Sequence, residues 1–210
     1  MDILLLVIMG ITALVSFKGF NDYDFFRKYE FHVGRIRAGE QLRMITSGFL
    51  HLDFAHLIFN MLTLYFFAPI VIDRLGNIYF LYIYFGSMVA GSLLTLYMHK
   101  NDYSYRAIGA SGAVMGVIYA SILLDINQEM KFYGFIPSYI FGIVYLLYSI
   151  YGMKAKKDNI GHTAHFGGAI GGYLITLIRE PSLFETNTKN VVLLMIPIII
   201  LFYMNKTNKL

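Results

Sequence analysis

Three places in this chain carry polar side chains where an apolar run would otherwise continue. The segment His51-Leu-Asp-Phe-Ala-His56-Leu-Ile-Phe-Asn60 puts His56 and Asn60 four residues apart, on one face of a helix. Gly109-Ala-Ser111-Gly112 opens a second apolar stretch, and Gly161-His162-Thr-Ala-His165-Phe-Gly167-Gly168 opens a third. A serine hydroxyl becomes a useful nucleophile when a base takes its proton, and a neutral imidazole within hydrogen-bond reach is the usual partner. Ser111 and His165 are the candidates for that pair. Acyl transfer through a tetrahedral intermediate also needs donors for an oxyanion, and backbone N–H groups at a helix N-terminus supply them, aided by the positive end of the dipole. Ser111 falls at such a terminus, and the Asn60 amide and His56 ring N–H are suitable side-chain donors.

The elements that must hold these groups are membrane spans. The 210-residue chain is 57% apolar and only 14% charged, whereas a water-soluble domain of this length carries roughly a quarter charged residues. Apolar runs occupy Ile3 to Phe17, Phe49 to Ile72, Ile78 to Met98, Ile108 to Leu124, Phe132 to Met153, His162 to Ile178 and Val191 to Met204. The expected fold is therefore all-α, a polytopic membrane helix bundle with a six-helix core and a short seventh C-terminal helix. Residues 191–204 include Pro197 and are short for a span, so a short span, an interfacial helix and a loosely attached seventh helix all stay open. Residues 1–180 form the expected six-span domain and 181–210 a C-terminal extension. The first run has only Asp2 ahead of it and no basic leader, which reads as a retained span.

Composition also excludes chemistry. With no Cys, thiol nucleophiles, disulfides and Cys-ligated zinc are ruled out. The net charge of +4 is scattered between apolar runs, not gathered into the stripe that nucleic acid requires, so no nucleic-acid partner is expected. The connection 18–48 is the long one. It mixes Phe20, Tyr23, Phe25, Phe26, Tyr29 and Phe31 with Arg27, Lys28, Arg35, Arg37 and Arg43, as segments at the lipid headgroup level do.

Alternating spans run in opposite directions, so the second, fourth and sixth run the same way. Ser111 lies five residues past Arg106, about 7 Å along a helix axis, and His165 seven past Asp158, about 10 Å. His56 sits similarly inside the second span, so all three polar sites fall in one leaflet. Gly109, Ala110, Gly112 and Ala113 are small enough for a second backbone to approach. Gly167/Gly171 and Gly168/Gly172 form overlapping GxxxG pairs that give the sixth span a docking face. Each piece alone is weak. A GxSG tetrapeptide is common, soluble hydrolases place it after a strand that 103–107 does not announce, and GxxxG pairs are mostly packing devices.

Together these residues resemble the rhomboid family of intramembrane serine proteases. The motifs that carry the resemblance are His51, His56 and Asn60 on the second span, Gly109, Ser111 and Gly112 on the fourth, and Ala164, His165, Gly168 and Gly172 on the sixth. The resemblance implies a catalytic dyad of Ser111 and His165, an oxyanion hole from His56, Asn60 and the Ser111 N–H, and a water-filled cavity sunk in the bilayer. It also implies substrates that are themselves membrane-spanning proteins, no metal and no cofactor, and an integral multi-pass protein of the plasma membrane. The long connection looks like the family's membrane-inserted loop, where a Trp-Arg pair is common; here the pair is Leu42-Arg43. An aromatic found in some members four residues after the nucleophile is Met115 here, a thioether that can fill the same space. His162 has no role that the resemblance assigns and reads as a headgroup-level or cavity-rim residue. Asp53, at the start of a helix, reads as an N-cap.

Orientation is in conflict. A cytoplasmic N-terminus, as the resemblance implies, leaves Lys18, Arg27, Lys28, Arg35, Arg37, Arg43, Lys100, Arg106, Lys154, Lys156 and Lys157 outside, against Arg74, Lys131, Arg179 and Lys189 inside. The positive-inside rule points the other way. Two other functions stay open: a catalytically silent relative that binds membrane proteins, and a transporter or metal-binding bundle using His51, His56, His162 and His165.

Overall fold

A computed structural model describes residues 2–126, 131–132, 136–155, 161–207 and 209. Helix α1 (Ile3–Asn21) begins on Asp2, whose carboxylate accepts from the Leu4 and Leu5 N–H groups at 2.8 and 3.2 Å. It is apolar all round, yet only the stripe Leu5, Ile8, Thr12, Ser16, Gly19 is buried. A helix of that kind needs a second apolar medium on its other faces, which a bilayer supplies. α1 extends four residues beyond the expected Phe17, so the long connection starts at Asp22, which caps α2 (Tyr23–Tyr29) by accepting from Phe25 N–H.

The remainder of that connection is folded. It comprises β1 (Phe31–His32), α3 (Val33–Arg37), α4 (Arg43–Thr46) and a 3-10 turn at Ser47–Phe49. A small core of Phe31, Val33 and Ile36 packs with Met44, Leu96, Tyr105 and Ala107. Arg43 is buried and organises the loop: its guanidinium bonds Glu40 at 2.7 Å and the carbonyls of Arg27 and Glu30 at 2.9 and 3.0 Å. Leu42 beside it is exposed.

Helix α5 (Phe54–Met98) contains the second and third spans. It is broken at Gly76, whose φ of +80° suits glycine. Both arms of α5 reach one site: Gly109 abuts the His56 ring, while Gly91 abuts the Ala164 carbonyl next to His165. In a straight helix the 35 residues from His56 to Gly91 would separate them by about 52 Å. The chain therefore doubles back at Gly76, and Asn77 at the turn holds Asp2 at 3.1 Å.

β2 (Arg106–Ala107) pairs antiparallel with β1, Phe31 opposite Ala107 and His32 opposite Arg106. The segment before Ser111 is thus extended and held by a strand, contrary to the sequence expectation. It carries neither the helical signature nor a β-branched run; its pairing partner lies some 75 residues earlier, beyond the reach of local pattern. Helix α6 (Ser111–Leu124) follows, and every residue from Gly112 to Leu124 is buried. The short pair β3 (Lys131–Phe132) and β4 (Ile136–Pro137) leads into α7 (Ser138–Ala155), and α8 (His162–Arg179) packs between α6 and the second arm of α5. Tyr133 and Phe135, expected at the head of the fifth span, lie outside the described residues, as do Lys156, Lys157 and Asp158.

α9 (Leu183–Thr186) is a single turn before α10 (Thr188–Lys206). The last helix is 19 residues, longer than the run 191–204, because Thr188, Lys189 and Asn190 join its first turn. It is not loosely attached. Buried Asn187 and Asn190 donate to the Leu123 and Ile122 carbonyls at 2.9 and 3.2 Å, and Tyr173 donates to the Val191 carbonyl at 3.0 Å. The final turn of α6 leaves carbonyls without helical partners, and these two asparagines satisfy them. Among the described residues three helices, α1, α5 and α10, are long and apolar enough to cross a membrane by length and composition. The result is a membrane helix bundle with α10 at its edge.

Candidate active site

The site is built on helix N-termini. Asp53 caps α5 by accepting from His56 N–H at 2.8 Å, which places His56 in the first turn. Ser111 is the first residue of α6, and His165 lies in the first turn of α8. The expected depths of 7 and 10 Å below flanking charges are therefore replaced by a shared level at the start of three parallel helices. At that level His165 Nε2 stands 2.8 Å from Ser111 Oγ.

Small residues permit this approach. A Cβ on Gly168 would overlap the Gly112 carbonyl, and one on Gly172 the Gly116 carbonyl; one on Gly167 would lie 2.5 Å from the Ala90 carbonyl and one on Gly171 2.9 Å from Ser87 Cα. The two GxxxG pairs thus serve different neighbours, 168/172 docking α6 and 167/171 docking the second arm of α5. Gly112 itself faces the Ala164 carbonyl, where a Cβ would sit at 3.1 Å. Gly109 has φ +115°, and a Cβ there would come within 2.8 Å of the His56 ring, so both conformation and space require glycine.

The hydrogen bonds orient the rings. Tyr145, on α7, lies with its hydroxyl 3.4 Å from His165 Nδ1 and its ring 5.4 Å from the imidazole. An Nδ1–H donated to Tyr145 leaves Nε2 free to accept the Ser111 proton. The sequence offered no signal for Tyr145: it sits in an apolar helix among other aromatics, and Met115, buried and lining the cavity, does not supply that ring. Leu52 N–H approaches His56 Nδ1 at 3.5 Å, an acceptor role that leaves the His56 proton on Nε2, the ring nitrogen facing Gly109. Asn60 is buried and donates one amide hydrogen to the His56 carbonyl at 2.9 Å, and its amide has a second.

The first helical hydrogen bond of α6 is Val114 N–H to Ala110 O at 2.9 Å. The N–H groups of Ser111, Gly112 and Ala113 precede it and have no acceptor within the helix. A cavity of about 720 Å³ opens on this end, lined by His56, Asn60, Ser111, Met115, Tyr145 and His165 among others. Its existence follows from length. The 14 residues of α6 span about 21 Å, against about 30 Å for a bilayer core, so a helix tethered at its far end by Asn187 and Asn190 starts well below the near surface.

At the cavity rim, Glu30 is buried between Arg27 and Arg106, both at 2.9 Å. Burial pushes its carboxyl above the ordinary range, against the pull of the two guanidiniums. His32 shares Arg106 at 3.1 Å; burial and then Arg106 push its pKa down. Arg43 acts on this rim through the Glu30 carbonyl, not by direct contact with Ser111. His162 departs from its expected place. It is buried against α7, where Gly152 makes room for its ring and Tyr148 packs 5.6 Å away. It lies one turn before His165 on the same face of α8, the two rings edge-on with centroids 6.0 Å apart, and its burial against α7 takes it out of the rim.

A sequence profile described as the rhomboid domain matches residues 38–182. This chain belongs to the rhomboid family. Rhomboids are in general intramembrane serine proteases acting on membrane proteins. The chain is similar to the "Putative rhomboid protease YdcA" of Bacillus subtilis, at 34% identity over 68% of this chain and 69% of that one. It is also similar to the RHOMBOID-like protein 12, mitochondrial, of Arabidopsis thaliana, at 26% identity over 78% and 54%, and to the rhomboid protease GluP of Bacillus subtilis, at 32% over 66% and 26%. It thus spans about half of one of these relatives and a quarter of another.

Proposed function

We propose that this rhomboid is an active serine endopeptidase that cleaves transmembrane protein substrates, with Ser111 as nucleophile and His165 as base. The observation that carries the reading is the 2.8 Å approach of Ser111 Oγ to His165 Nε2 at the floor of the cavity. His165 takes the Ser111 proton as Oγ attacks the scissile carbonyl carbon. The oxyanion is met by the Ser111 N–H and by side-chain donors from His56 and Asn60, in the field of the α6 N-terminus. Collapse of the intermediate expels the amine, which receives the proton from His165, leaving an acyl ester on Ser111. Water then enters, gives a proton to His165 as it attacks the ester, and His165 returns that proton to Ser111 Oγ as the carboxyl product leaves. Tyr145 keeps the imidazole in the acting tautomer through these steps.

The test is a tagged membrane substrate incubated with wild type, Ser111→Ala and His165→Ala. Either substitution should lower cleavage at least about 1,000-fold while leaving insertion and thermal stability intact, and a fluorophosphonate should label wild type at Ser111. Cleavage by Ser111→Ala at the wild-type rate would refute the assignment.

The protein is an integral membrane protein, and we extend the proposal to its location: the plasma membrane, with the N-terminus cytoplasmic and the cavity opening outward. A folded loop of basic residues is a poor subject for a charge rule drawn from short connections. A reporter active only outside the cytoplasm, fused between Lys100 and Tyr105, should be active; one fused after Lys206 distinguishes whether α10 completes a seventh crossing.

A further inference from the structure

We infer that His51 is a positioning residue that, through Ser16, couples helix α1 to the turn carrying Ser111. This rests on the proposed peptidase reading for its consequence, though not for its geometry. His51 is fully buried. Its Nδ1 lies 2.9 Å from Ser16 Oγ, and its Nε2 lies 3.4 Å from the backbone nitrogen of Ala110, the residue before the proposed nucleophile. The proton arrangement is determined from both ends. Ser16 donates its hydroxyl hydrogen to the Phe49 carbonyl at 2.9 Å, so toward His51 its oxygen can only accept, which places the imidazole hydrogen on Nδ1. Ala110 N–H can only donate, which requires Nε2 to be bare. One tautomer satisfies both demands, and the other satisfies neither.

The coupling bears on the oxyanion donors. Gly109 N–H donates to the Ser47 carbonyl at 3.0 Å while Ala110 N–H donates to His51. Two successive N–H groups are thereby held on the 47–51 segment, with the chain turning at the +115° φ of Gly109. The next N–H groups, from Ser111 onward, are left at the open start of α6. The same imidazole meets the His56 ring edge-on, centroids 4.9 Å apart, so one buried side chain backs two sources of oxyanion donors. A loss here should misplace donors used in the transition state and so lower kcat with KM unchanged, by about 10- to 100-fold as for other residues that orient a catalytic group.

The test compares wild type, Ser16→Ala, Ser16→Thr, His51→Leu and the Ser16→Ala/His51→Leu double variant in lipid nanodiscs. Nitrogen-15 histidine spectra should show His51 protonated on Nδ1 in wild type and a mixed tautomer in Ser16→Ala, with faster amide exchange at Ala110. On a tagged transmembrane substrate, Ser16→Ala should lose kcat with KM within about twofold, Ser16→Thr should recover it, and the double variant should be no worse than His51→Leu alone. Additive losses in the double variant, an Nε2-protonated His51 in wild type, or wild-type kcat and Ala110 exchange in Ser16→Ala would each overturn the coupling. Should His51→Leu fail to fold, the Ala and Thr variants of Ser16 decide it. If wild type cleaves nothing, the peptidase reading falls, while the tautomer and the Ala110 exchange still decide the coupling.

Discussion

The hydroxyl of Tyr145, 3.4 Å from His165 Nδ1, occupies the position that a carboxylate holds in a Ser-His-Asp triad. A neutral acceptor orients the imidazole without the electrostatic support that a carboxylate gives to the imidazolium. This suits a site within a bilayer, where a buried charge costs several kcal/mol. Tyr145→Phe keeps the ring against His165 and removes only the acceptor. We expect kcat to fall about tenfold, corresponding to about 1.4 kcal/mol, with KM unchanged; steady-state cleavage of a tagged substrate measures it. At this scale the sequence was informative wherever polarity broke an apolar run, as at His56, Asn60, Ser111 and His165. Tyr145 and the His51–Ser16 pair were not visible there, because a tyrosine or a serine in a span breaks no pattern and its partner is set by packing.

The elements that bring Ser111 to His165 are α6 and α8, and their approach depends on glycines that meet backbone, not side chains. Because a Cβ on Gly172 would overlap the Gly116 carbonyl, no rotamer change relieves it and the helices must separate. Gly172→Val should therefore lower stability by more than about 4 kcal/mol and abolish activity. Gly10→Ala, in α1 with no atom within 4 Å of the new methyl, should be neutral or stabilising by up to about 1 kcal/mol. Thermal unfolding in detergent compares the two. The GxxxG spacing was legible in the sequence, but its division between α6 and the α5 arm was not. The helices start later than hydropathy predicts, at Phe54 and Ser111 in place of Phe49 and Ile108, because a cap and a strand pairing set those starts.

For the molecule as a whole, a central 14-residue helix, buried from Gly112 onward and surrounded by longer ones, leaves a cavity at its N-terminal end. On the proposed function, a substrate helix entering this cavity must give up its own backbone hydrogen bonds before its carbonyl can reach Ser111. Substrates with Gly or Pro near the cut, and small residues at it, should be cleaved faster, since each Gly weakens a helix by about 1 kcal/mol relative to Ala and Pro by about 3. Replacing such residues by Leu or Ala should slow cleavage roughly in step; a rate indifferent to these changes would refute the unwinding step.

The sequence by itself determined that the chain is a membrane helix bundle with polar groups at one level of three parallel spans, because hydropathy and helical spacing are local properties that composition records. Even the family was carried by short motifs, each at the start of a single helix. Only the tertiary structure decided that the long basic connection folds around Arg43 and Glu30, that His162 is buried in the α7 interface, and that α10 is fastened to α6 by Asn187 and Asn190. It alone joined His51 to Ser16 and Ala110. Each of these is a contact between different elements, and it depends on how the elements dock and not on the spacing within any one of them.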